Sequence, residues 1–169
     1  MILHCTKKLA ARLADVAAQP LRETSPLGSW HGKLLHFDRR QCLFLCHDES
    51  RWVLFLPGVR KIHLLDLDRL FPQLLSDTLQ ALGCETVGLS RLKLALGPVR
   101  FDTATDRSVL ASMTVAARDL EPVVYRARNV LELDPVAVSA RLSRRPATIH
   151  KQWIRPGERL VERVQRVVG

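Results

Sequence analysis

Aromatic residues make up only 5% of this chain, with a single Tyr, and no apolar run approaches the roughly 18–20 residues needed to span a membrane. The scarcity of aromatics leaves no pattern like the paired aromatics of a sheet-based RNA reader. Gly-rich phosphate loops, Gly-x-Ser-x-Gly and His-Glu-x-x-His are also missing, which removes the familiar signatures of nucleotide, acyl-transfer and zinc-protease chemistry. Four cysteines, Cys5, Cys42, Cys46 and Cys84, are few for 169 residues, a length that can bury a core without disulfide staples. The first residues, Met1 to Leu9, meet charge too early for the apolar core of a signal peptide. Free thiols in a cytoplasmic protein are therefore expected, with no membrane partner and no implied cofactor.

What is present is ordinary for a globular chain: 47% apolar and 25% charged residues, with a mean hydropathy near zero. The charge is not ordinary. Lys and Arg number 26 against 17 Asp and Glu, a net +9. After Tyr125 there are nine Arg and one Lys against four carboxylates, so +6 of the excess falls in the last quarter of the chain. Such an imbalance favours anionic partners, nucleic acid among them, although a solvated basic face has the same composition.

Hydrophobic periodicity organises the chain. Residues 1–5 read as a strand, and Thr6 is placed to cap a helix over residues 6–18 with Leu9, Leu13 and Val16 on one side. Residues 19–29 read as a loop. Residues 30–37, 41–47 and 52–56 read as a three-stranded antiparallel meander ending at Pro57-Gly58. A helix is expected over residues 64–82, interrupted or kinked at Pro72 and stopped by Gly83. Residues 89–96 suit either a strand or a helix. Further helices are expected after Thr105-Asp106, after Asp134-Pro135 and after Gly157. The fold class is α+β: a small antiparallel sheet of three to five strands with helices packed mainly on one face. Residues 1–125 form the core domain, and 126–169 a basic helical extension packed on it.

A three-residue turn at Asp38-Arg39-Arg40 would set His31 opposite His47, and the next turn would set His47 opposite Trp52. The resulting row, His31–His47–Trp52, would bring two imidazoles within about 4.5–5.5 Å at their Cβ atoms. That spacing suits proton transfer, with His31 and His47 as base and acid and Lys33 or Lys7 stabilising developing charge. Cys42-x-x-x-Cys46-His47 mimics metal-ligand spacing. On a strand, however, the two thiols stand roughly 13 Å apart, too far to share one zinc, so no metal site is expected. The remaining basic groups are Lys7-Lys8, Arg39-Arg40 in a turn, and Arg141, Arg144 and Arg145 at a helix end, where the macrodipole favours cations.

Several strings together resemble an uncharacterised bacterial domain family of about this length. They are Met1 to Leu9 (with Cys5-Thr6-Lys7-Lys8-Leu9), Leu27-Gly28-Ser29-Trp30-His31, Asp38-Arg39-Arg40-Gln41-Cys42, Cys46-His47-Asp48, Leu54 to Gly58, and Asp106 to Leu110 followed by Ser112-Met113. The resemblance covers roughly the first 120 residues and implies no activity and no catalytic residues. From the residues themselves, the leading expectation is binding of nucleic acid or another polyanion through Lys7, Lys8, Arg39, Arg40, Trp52, Arg144 and Arg145. The alternatives are a metal-independent phosphoesterase or ribonuclease using His31, His47 and Lys33, and a non-catalytic module. In the last case the Leu160/Val164/Val168 stripe of the final helix would dock on a partner protein or a second copy.

Overall fold

Residues 42–46 of the meander, Cys-Leu-Phe-Leu-Cys, are apolar at every position, a pattern that requires burial on both faces of a sheet. The computed structural model, which describes every residue except His150, meets that requirement. Its five-stranded sheet comprises β1 (Ile2–Cys5), β2 (Trp30–Phe37), β3 (Arg40–His47), β4 (Val53–Leu56) and β5 (Arg100–Asp102), in the order β4-β3-β2-β1-β5. The β2–β3–β4 meander is antiparallel as expected, whereas β1 inserts parallel to both β2 and β5.

The helices are α1 (Lys7–Ala10), α2 (Lys61–Leu65), α3 (Leu67–Ala81), α4 (Thr86–Leu96), α5 (Arg107–Arg126), α6 (Pro135–Ser143) and α7 (Pro156–Val168). A small hairpin of β6 (Ala147–Ile149) and β7 (Gln152–Ile154) separates the last two. Packing is not confined mainly to one face. Leu3, Trp30, Leu43, Leu45 and Leu54 face a core made with α3, α4 and α7. Their alternating neighbours Cys42, Phe44, Cys46, Val53 and Phe55 face a second core made with α5 and α6. Leu160 and Val164 of α7 are buried in the first core and Val168 packs against it, so that apolar stripe is covered by the domain itself. No helix among the described residues is long and apolar enough to cross a membrane.

Local signals place most helix ends. Asp106 caps α5 by accepting the N–H groups of Ser108 and Val109, and Asp134 caps α6 in the same way with Pro135 at its first position. Gly83 ends the α3 region at φ 93°. The ambiguous segment at 89–96 is helical, as α4. Two expectations fail. Helix α1 stops at Ala10 rather than near residue 18, because Val16 and Ala17 run alongside β5 and Ala17 N–H bonds the Phe101 carbonyl. The helix expected from residue 64 is two helices broken at Asp66, while Pro72 is accommodated inside α3.

The register of the first hairpin differs by one residue from expectation. Asp38 and Arg39, at φ 47° and 59°, make a two-residue turn, which pairs Phe37 with Arg40 and Trp30 with His47. Left-handed φ at both positions matches the twist of the flanking strands. A one-residue shift turns every side chain to the other face, so His31 pairs with Cys46 and lies on the opposite face from His47. The row expected as His31–His47–Trp52 is Trp30–His47–Trp52 and is buried.

The edge strand β4 is closed by α6. Ser139 Oγ accepts the Phe55 N–H at 2.9 Å and donates to the Pro135 carbonyl, while the Ser139 carbonyl accepts from Trp52 Nε1. Substituting Ser139→Ala orphans a buried backbone donor. It is expected to lower stability by about 1–3 kcal/mol in denaturant unfolding, with the secondary structure unchanged by circular dichroism.

Candidate functional site

Because β1 lies between β2 and β5, the registers align one row across the whole sheet: Asp102, His4, His31, Cys46 and Val53. Its two histidines form neighbouring imidazole–carboxylate pairs, one within the row and one with Asp48 just past β3. His4 Nδ1 lies 2.6 Å from Asp102 Oδ1, His31 Nδ1 lies 2.6 Å from Asp48 Oδ1, and the two rings are 5.0 Å apart. Asp102 is fully buried and also accepts the backbone N–H groups of Leu21 and Ala104. Burial alone would raise its carboxyl, but those amides and His4 hold it below the usual carboxylate range. Asp48 behaves likewise: burial opposes ionisation, and the bonds from His31 and Ser29 Oγ outweigh it.

These partners dictate where the protons sit. Asp106 N–H points at His31 Nε2 at 2.7 Å, so that nitrogen is an acceptor and the proton lies on Nδ1, donated to Asp48. His31 thus has both nitrogens engaged. His4 donates Nδ1–H to Asp102, and its Nε2 makes no hydrogen bond among the described residues. Its side chain is 14% exposed, against 1% for His31. His4 is therefore the imidazole of the cluster with a lone pair open to a ligand or a transferable proton. Arg51 ties this corner together, donating to the Asp48 carbonyl and to Ser108 Oγ at the start of α5.

His47 lies apart from this cluster. Its Nε2–H donates to the Leu27 carbonyl at 2.8 Å, and its Nδ1 accepts from the Ser50 N–H, with Ser50 Oγ also 2.8 Å away. Burial pushes its pKa down to about 4. His31 and His47 are not brought together, and neither has a free nitrogen. Lys33 shares the His31 face and donates to Thr114 Oγ1 of α5, and Trp52 is fully buried. Cys42 and Cys46 are buried free thiols, Cys46 raised to about 12 by burial. No group of three metal-ligating side chains occurs among the described residues.

Lys7, Lys8, Arg39 and Arg40 lie at the far end of the sheet, joined there by Arg12, Arg60 and Lys61, which sequence reasoning did not single out. Lys8 Nζ is 3.4 Å from His36 Nδ1, and Arg12 donates to Gln41 Oε1 at 3.3 Å, so α1 and the chain after it lie against the β2–β3 hairpin. Val59 N–H bonds the Gln41 carbonyl and brings Arg60 and Lys61 to the same corner, where Arg12 and Lys61 line one shallow groove. Lys7, Lys8, Arg12, Arg39, Arg40, Arg60 and Lys61 are all exposed. None makes an ion pair among the described residues. Asp38, the carboxylate of this turn, accepts the Val130 N–H. Arg144 is exposed at the end of α6, and Arg145 is half-buried, donating to the carbonyls of Arg51 and Ser112.

A family match spans residues 2–159. The chain belongs to DUF6933, a domain family of unknown function. The DUF6933 match runs well beyond the first 120 residues, taking in α6, the β6–β7 hairpin and the start of α7. No curated protein and no solved structure matches the chain. Sequence reasoning missed His4, Asp48 and Asp102 as a cluster in this DUF6933 domain. Asp48 stood next to a quoted His, but nothing local announces that residues 4 and 102 are neighbours.

Opposite tautomers are expected for the two inner histidines, Nδ1–H for His31 and Nε2–H for His47, as read by long-range proton–nitrogen NMR. The neutral His47 ring is the folded form, while the unfolded chain takes up its proton near pH 6.5. Its contribution to stability is therefore complete above pH 6.5 and is lost as pH falls towards 4, reaching on the order of 3 kcal/mol. Unfolding free energies across that window should fall more steeply for the natural protein than for His47→Gln.

Proposed function

We propose that this domain binds nucleic acid or a similar polyanion through the cationic corner formed by Lys7, Lys8, Arg12, Arg39, Arg40, Arg60 and Lys61. The observation that carries the reading is their convergence from three separate segments without an ion-pairing carboxylate. Keeping like charges together costs electrostatic energy, which a polyanion relieves while releasing its own counterions. Guanidinium groups at a protruding turn also offer bidentate contacts to phosphate. Affinity is expected to fall steeply as salt rises from about 50 to about 200 mM. Arg39→Glu/Arg40→Glu and Arg12→Glu/Lys61→Glu should each weaken binding and flatten the salt dependence, by about one unit of slope per lost phosphate contact. Salt-independent affinity, or no effect of either variant pair, removes the reading.

A second reading has its own support in His4. With Asp102 accepting from Nδ1, the open Nε2 is arranged as a general base or acid, the role a metal-independent phosphoesterase requires. The expected signature is cleavage of a labelled RNA that His4→Ala abolishes and Asp102→Asn impairs, with His4→Ala still folded by circular dichroism although less stable, because Asp102 loses a partner. An RNA left intact by the natural protein removes this reading and leaves the first standing.

A further inference from the structure

Trp30 and Trp52 are fully buried, but Trp153 is 76% exposed. It stands on β7 directly opposite Thr148 of β6, also exposed, so this pair forms the outward face of the hairpin. The other face carries Ala147, which is buried, with Ile149 and Ile154 half-buried. The hairpin is thus seated on the domain by its apolar face. Arg145 fastens its base, donating to carbonyls on the β3–β4 turn and on α5. An indole this large, held outward by a fixed ribbon, is left without a partner.

Its neighbours along the chain are basic. Arg144 at the hairpin's base and Lys151 just before β7 are exposed, and neither makes an ion pair among the described residues. Arg155 follows β7 and is paired with Glu158 at 2.9 Å. An exposed apolar ring on a hairpin whose chain neighbours include unpaired cations matches a ligand that alternates flat apolar groups with phosphates. A duplex does not present that pattern, because its base faces are already stacked on one another. A single strand does, since each base has a free face.

We infer that the β6–β7 hairpin is a binding site for single-stranded nucleic acid, with a base stacked on Trp153 and the flanking phosphates held by Arg144 and Lys151. This rests on the reading of the domain as a nucleic-acid binder, and adds to it a second surface and a preference for unpaired strands.

The burial of the other two tryptophans makes the test direct, because Trp153 is the indole that an added oligonucleotide can reach. The full chain is titrated with unstructured oligo-dT and oligo-rU and with a duplex of equal length. Anisotropy of a label on the nucleic acid reports binding, and tryptophan emission reports stacking. The expected result is quenching by single strands, lost in Trp153→Ala together with about 5- to 100-fold in single-strand affinity. Trp153→Phe should retain most of that affinity, and duplex affinity should be the same in all three proteins. Single strands that bind without quenching, and equally well to Trp153→Ala, overturn the stacking site while leaving the cationic corner intact. Failure of every nucleic acid to bind at about 50 mM salt overturns both proposals. A Trp153→Ala change that alters particle mass in light scattering but not oligonucleotide affinity assigns the indole to a protein interface and overturns this one.

Discussion

The two-residue turn at Asp38 and Arg39 determines which way every side chain of the meander faces. Both residues hold left-handed φ angles, a conformation L-residues adopt at some cost. The cost is offset by a full eight-pair ladder between β2 and β3 and by the Asp38 carboxylate, which takes the N–H of Val130 from a distant turn. Because side chains alternate, this one loop length puts Trp30 and His47 into the α3 core and His31 beside His4 on the other face. The polar cluster, both cores and the fate of each histidine follow from it.

The second constraint is the parallel insertion of β1. It joins residues nearly a hundred positions apart, making the His4–Asp102 pair and setting it beside the His31–Asp48 pair that the β2–β3 hairpin forms. Chemically identical rings then acquire different characters from their partners alone. His31 is locked by a carboxylate on one nitrogen and an amide on the other. His47 is enclosed and kept neutral by burial. His4 is aligned by Asp102 with its outer nitrogen unused. Side-chain type identifies which groups can do acid–base work, and the hydrogen-bond partners decide which one is available for it.

The distribution of charge is the sharpest reversal. Counted along the chain, the positive excess belongs to the last quarter. In space, several of those arginines are engaged: Arg163 binds Glu49 and the Leu27 carbonyl, Arg155 binds Glu158, and Arg145 fastens the hairpin to two carbonyls. The nearly balanced first part holds the cluster without carboxylate ion pairs, and three of its acids are engaged elsewhere: Asp48 and Asp102 by histidines, Glu23 by the backbone amides of Ile2 and Ser25. Net charge per segment is a sum over residues. A binding surface depends on which charges remain unpaired after folding.

What the sequence by itself determined was set by short-range energies. The caps at Asp106 and at Asp134-Pro135, the stop at Gly83 and the three strands of the meander all depend on a few neighbouring residues. The tertiary structure alone decided the hairpin register, the early end of α1, the covering of both sheet faces, and the meeting of His4 with Asp102. Each of these is a competition between distant segments for one position in the sheet. Its outcome depends on total burial and hydrogen-bond satisfaction across the domain, which no local run of residues contains.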